Sequence, residues 1–80
     1  MVEIFNIKVD ENLISCNYSP EDSGLAGKVV VDVNTEEITG IEYSKYIYGK
    51  KMYVAHVRKK LMDLFKSESP IPDKVTATWY

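Results

Sequence analysis

Eighty residues with 45 % hydrophobic and 28 % charged side chains make one small folded domain, spanning 1–80, and exclude a disordered chain. A single cysteine, Cys16, excludes an internal disulfide, and no apolar run approaches the roughly 18 residues that cross a bilayer. The net charge of −2 hides a division: residues 1–44 set two lysines against nine acids, 45–66 set seven basic residues against Asp63 alone, and 67–80 set one lysine against two acids.

The start, "MVEIFNIKVDEN", carries an acid at position 3 and no basic lead into an apolar core, which is not the pattern of a signal peptide. Small secreted domains are usually stapled by disulfides, so the expected location is cytoplasmic. A chain this short buries a thin core, and dimerisation would add buried surface.

Residues 3–9 alternate, and the pattern predicts a strand with Phe5, Ile7 and Val9 on one face. After the turn formers "DEN", residues 13–18 place Ile14, Cys16 and Tyr18 on one face, which completes a hairpin. Residues 19–27, "SPEDSGLAG", form a loop. "KVVVDV", 28–33, is the clearest strand, with Val29, Val31 and Val33 facing inward. "NTEE" turns the chain and "ITGIEYS" brings it back, with Gly40 marking a bulge or a close backbone approach. The run "VVVDVNTEEITGIEY" resembles the strand-turn-strand of PepSY-type domains over about fifteen residues, and nothing beyond a hairpin is carried over from it.

The basic stretch follows. On a helical wheel Tyr53, Val54, Val57, Leu61, Leu64 and Phe65 share an arc of about 120°, the width of a core-facing stripe. His56, Lys59, Asp63 and Lys66 lie opposite. This predicts a helix from about 50 to 67, ended by "SESPIP". The rival reading is a hairpin over 43–57 with a shorter helix after it. "KVTATWY", 74–80, closes the chain as a strand with Val75, Ala77 and Trp79 inward. The order β-β-β-β-α-β predicts an α+β two-layer sandwich, one mostly antiparallel sheet covered by one amphipathic helix. The second sheet face is left to solvent or to a partner.

Catalytic patterns are missing: there is no G-x-S-x-G, no glycine-rich phosphate loop and no paired-carboxylate motif. Cys16 reads as a small core residue and His56 as a surface residue. "DVNTEE" places oxygens at Asp32, Asn34 and Glu36 like a calcium loop, but Glu37 stands where the loop needs glycine and Tyr43 where it needs a bidentate glutamate. It reads as a polar turn. One histidine and one cysteine cannot make a zinc site. No cofactor, metal or small-molecule substrate is expected.

The remaining lead is the basic, tyrosine-interleaved segment. Lys50 and Lys51 fall in the first helical turn, where the dipole disfavours cations by a few tenths to about 1 kcal/mol. The amide donors of a first turn attract anions. Lys45, Tyr46, Tyr48, Lys50, Lys51, Lys59 and Lys60 are the candidate partner- or anion-binding residues. The first expectation is a non-enzymatic protein-interaction or regulatory module, a homodimer or a subunit of a complex, because tyrosine is enriched at interface hot spots. The alternative is nucleic-acid or polyanion binding, with tyrosines stacking on bases and lysines on phosphates.

Overall fold

The computed structural model describes residues 1–67 and 69–78. Four strands follow in sequence: β1 (Val2–Asp10), β2 (Leu13–Pro20), β3 (Gly27–Asp32) and β4 (Ile38–Glu42). Helix α1 (Lys50–Lys66) and strand β5 (Lys74–Ala77) complete the order. All neighbours pair antiparallel in the order β4-β3-β2-β1-β5. The result is the α+β two-layer arrangement that the periodicities predict.

The topology explains the helix length. The first four strands form a meander that ends on one edge of the sheet, and β5 pairs on the opposite edge. Seventeen helical residues rise about 25 Å, against roughly 19 Å for the four strand spacings. The helix therefore carries the chain back across one sheet face, and its apolar stripe lands on the inward side chains of the strands. Val2, Ile4, Ile7, Ile14, Cys16, Tyr18, Val29 and Val31 from the sheet meet Tyr53, Val54, Val57, Leu61 and Met62 from the helix in one buried cluster. No described helix is long and apolar enough to cross a membrane.

β1 departs from the simple alternation. Its inward residues are Val2, Ile4 and Ile7, whereas Phe5 faces the other side and Val9, near the strand end, is 45 % exposed. Val2 and Ile4 are in phase with each other and out of phase with Ile7. A bulge reconciles them: between the pairs Phe5↔Asn17 and Lys8↔Ser15, the two residues Asn6 and Ile7 oppose Cys16 alone. Asn6 sits at φ 53, a region that asparagine enters at low cost. The expected Phe5-Ile7-Val9 face is thus corrected at Phe5: Ile7 is inward and Val9 keeps its phase opposite buried Ile14, while the extra residue puts Phe5 on the other face.

The helix begins at Lys50, which removes the rival hairpin over 43–57. Its stripe is shifted from the one expected. Met62 is 3 % exposed and Phe65 37 %, with Leu64 half-buried. The β3–β4 turn explains the shift: Arg58 Nη1 donates to the Glu36 carbonyl at 3.2 Å, and Lys66 Nζ pairs with Glu36 Oε2 at 3.2 Å. Both contacts fall on the Arg58–Lys66 flank of α1, the flank that carries buried Met62, while Phe65 is 37 % exposed. The same turn is the "DVNTEE" segment. Asp32 Oδ1 accepts from the amides of Asn34 and Thr35, so its oxygens hold the turn together.

β4 ends at Glu42, earlier than the expected return arm to residue 44. A register shift between Val30 and Val31, opposite Gly40 and Ile38, provides the irregularity that Gly40 signals. At the C-terminus Val75 and Ala77 pack against the core. Trp79 and Tyr80, expected in the last strand, lie outside the described residues.

Candidate interaction surface

The chain leaving β4 is anchored before it reaches the helix. Tyr18 is fully buried, and its hydroxyl accepts the Ser44 amide N–H at 2.9 Å. Burial pushes the Tyr18 hydroxyl above its ordinary pKa. The Ser44 hydroxyl donates to the Leu25 carbonyl and accepts the Tyr46 amide at 3.1 Å. The crossing is tight at Gly27. A Cβ there would stand 2.5 Å from the Tyr18 ring, 2.6 Å from the Glu42 carbonyl oxygen and 2.7 Å from the Ser44 nitrogen. Glycine is required by close approach, with no unusual backbone angle involved.

Beyond Ser44 the tyrosines take different roles. Tyr46 is half-buried, its ring centroid 5.7 Å from both Tyr48 and Tyr53 in edge-to-face contact. Tyr53 is buried and donates its hydroxyl to Glu21 Oε2 at 2.6 Å. The same carboxylate oxygen accepts the Met1 ammonium at 2.6 Å. Donation to a carboxylate, with burial added, pushes the Tyr53 hydroxyl well above its ordinary pKa. Tyr43 is capped by Lys50, whose Nζ lies 5.0 Å from the ring centroid. Tyr48 is left 71 % exposed, beside Ile47 at 73 %.

The first helical turn continues this surface. Gly49, at φ 64, holds the N-cap position with no side-chain cap, and the first turn contains no acid. Met52 is 45 % exposed, and Lys45, Lys50 and Lys51 are exposed too. Lys50 thus has an aromatic face in place of the carboxylate that the dipole argument calls for.

The structure divides the sequence-predicted set. Lys45, Tyr46, Tyr48, Lys50 and Lys51 come together at this end of the helix. Lys59 and Lys60 stand about 14 Å farther along the axis. They line an open groove of about 350 Å³ between α1 and β5, with His56, Asp63, Thr76, Ala77 and Thr78. Lys59 is within 3.5 Å of Asp63. Ile47 and Met52 were missed by sequence reasoning. Their signal was present: Ile47 is an apolar residue in a connection, and Met52 lies off the core-facing arc.

Cys16 is 2 % exposed, and burial pushes its thiol up to about 12, so it stays protonated at neutral pH and is a poor nucleophile. It sits in the core, whereas His56 lines the groove beside β5. Among the described residues no group of three His, Cys, Asp or Glu side chains could hold a metal ion. Comparison of the chain with protein-family models, curated protein sequences and solved structures finds no match.

Proposed function

We propose that this protein is a non-enzymatic interaction module whose contact surface is residues 43–52, with Ile47 and Tyr48 as the anchors. One observation carries the reading: two adjacent large side chains are 73 % and 71 % exposed on a segment held from beneath by buried hydrogen bonds and ring contacts. A pre-ordered aromatic anchor loses little entropy on binding, which is where interface energy concentrates. Lys45, Lys50 and Lys51 form a basic rim, so the partner surface is acidic around an apolar centre. A second copy of this chain is the first partner to test. The single buried thiol suits a reducing compartment, and the reading includes a cytoplasmic location.

The test combines sedimentation velocity with a photo-crosslinking residue at position 47 and, as a control, at position 39 on β4. The reading expects crosslinks concentrated at position 47, to itself if the protein dimerises, and their loss on Tyr48→Ala. Equal crosslinking at both positions, with a monomer at high concentration, would overturn it.

Polyanion binding is the second reading, favoured by the three lysines around Tyr48. Tyr48, 71 % exposed against 43 % for Tyr43, is the ring most open to stacking. Anisotropy of a labelled single-stranded oligonucleotide between about 50 and 200 mM salt would show a log–log slope near −2 for three phosphate contacts. A slope near zero excludes this mechanism.

A further inference from the structure

A different cationic site lies on the sheet face that the helix does not cover. Lys8 and Lys28 are the two basic residues of the acidic first 44, and the fold brings them to the same depression. Lys8 pairs with Ser15 and Lys28 with Asn17, so the lysines stand on β1 and β3 with β2 between them. Two strand spacings are about 10 Å, a span that two lysine side chains can close from opposite sides onto one small ligand. The depression holds about 120 Å³ and is lined by Asn6, Lys8, Ser15, Cys16, Asn17 and Lys28.

Its donor inventory is one-sided. Asn6 Nδ2 donates one N–H to Asn17 Oδ1 at 3.0 Å, and Asn17 Nδ2 donates one to the Gly27 carbonyl at 3.1 Å. Each amide keeps a second N–H. The Asn17 oxygen already accepts from Asn6, and Asn6 Oδ1 is the second side-chain amide acceptor. No carboxylate lines the depression, and neither lysine is in an ion pair among the described residues. Glu42 is the nearest acidic neighbour by register, as the β4 partner of Lys28. The bulge creates the arrangement: the extra residue at Asn6 breaks the ladder beside Cys16, next to Lys8. Phe5, half-buried, pairs with both Asn17 and Lys74, and so places an aromatic ring and a third cation at the border.

We infer that this depression is a binding site for a phosphate-class oxyanion, held between Lys8 and Lys28 and oriented by Ser15 and the asparagine amides. A dianionic tetrahedral group matches the donor set: two ammoniums for its charge, and hydroxyl and amide N–H groups for its oxygens. The site is separate from the 43–52 surface and stands or falls without it.

Nitrogen-15-labelled protein titrated with inorganic phosphate, at ionic strength held constant with sodium chloride, tests the site. The expected result is saturable shifts at the amides of Asn6, Ser15, Asn17 and Lys28, including the asparagine side-chain signals. Lys8→Gln and Lys28→Gln should each weaken binding roughly three- to tenfold. Both lysines are exposed, so both variants keep the wild-type spectrum elsewhere. Glu42→Gln should tighten binding about twofold. A parallel titration with phenyl phosphate separates the sources: tighter binding with added shifts at Phe5 marks a phosphorylated aromatic ligand, and equal binding marks free phosphate. Shifts that grow linearly without saturation would overturn the site. So would saturation centred on Lys50–Lys51 or on the His56–Lys60 groove, with both glutamine variants binding like wild type.

Discussion

Two regions of this molecule use the same residue type in opposite ways. In the layer between sheet and helix, Tyr18 and Tyr53 are buried and each hydroxyl has a named partner, the Ser44 amide and the Glu21 carboxylate. In the connection from β4 to α1, Tyr48 is 71 % exposed and meets Tyr46 in an edge-to-face ring contact. Burial of an aromatic ring is a stability feature once its hydroxyl is satisfied, whereas an exposed ring contributes little to stability and is open to contact from outside. The difference lies in what stands opposite each ring.

Truncation should separate the regions most sharply. Leu61→Ala removes a fully buried side chain from the helix–sheet interface and should cost about 2–5 kcal/mol in urea unfolding. A loss under about 1 kcal/mol would mean that the helix is loosely docked. Gly27→Ala should follow, at about 1–3 kcal/mol, because the added methyl meets backbone atoms of Glu42 and Ser44 that cannot rotate away. An unchanged unfolding midpoint would show that the crossing chain can lift off the strand.

Tyr18→Phe keeps the ring and removes the acceptor of the Ser44 amide, so it should cost about 1–3 kcal/mol. It should also loosen the 43–49 connection, which faster amide hydrogen exchange at Ser44 and Tyr46 would report. That variant links the two regions, since a buried tyrosine holds the segment that displays the exposed one.

The pH dependence tests the core alone. The Cys16 thiol moves from 9.0 to about 12 on folding, and the Tyr53 hydroxyl also moves up from 10.0. In both cases the unfolded chain loses the proton first. Their contribution is therefore fully present below about pH 9, falls as pH rises, and for Cys16 is exhausted above about 12. Urea midpoints between pH 8 and 11 should decline, and Cys16→Ala should reduce the decline above pH 9. A flat profile would count against both shifts. The smallest effect belongs to the exposed region: Ile47→Asp should change stability by no more than about 0.5 kcal/mol while reducing any interaction made through residues 43–52. A larger loss of stability would mean that Ile47 packs within the fold.

Local periodicity carried most of the architecture. The Ile14-Cys16-Tyr18 and Val29-Val31 faces, the helix from Lys50, and the inward Val75 and Ala77 all follow from spacings within single elements. The candidate surface was half legible. The tyrosine–lysine interleaving marked residues 45–51, but Lys59 and Lys60 were grouped with them on charge alone. Which tyrosine is spent internally depends on Tyr53, Lys50 and Tyr48 meeting Tyr46 and Tyr43 in space. The Lys8–Lys28 pair was not legible either, because twenty residues separate partners that only the register of β1, β2 and β3 brings together.

By itself the sequence determined the elements and their order, since a period of two or of 3.6 is written into neighbouring residues and needs no partner to be read. It also determined that one face of one helix would meet one face of one sheet. Tertiary structure decided the phase of β1, where the bulge at Asn6 and Ile7 exists only opposite Cys16. It decided that Gly27 must stay small, because Ser44 crosses above it, and that Met62 is buried and Phe65 is not. It also divided one basic stretch into two surfaces and assembled a third from an acidic segment. In each case the deciding contact joins residues distant in the chain, and pairing between strands and across layers chooses among alternatives that are locally equal.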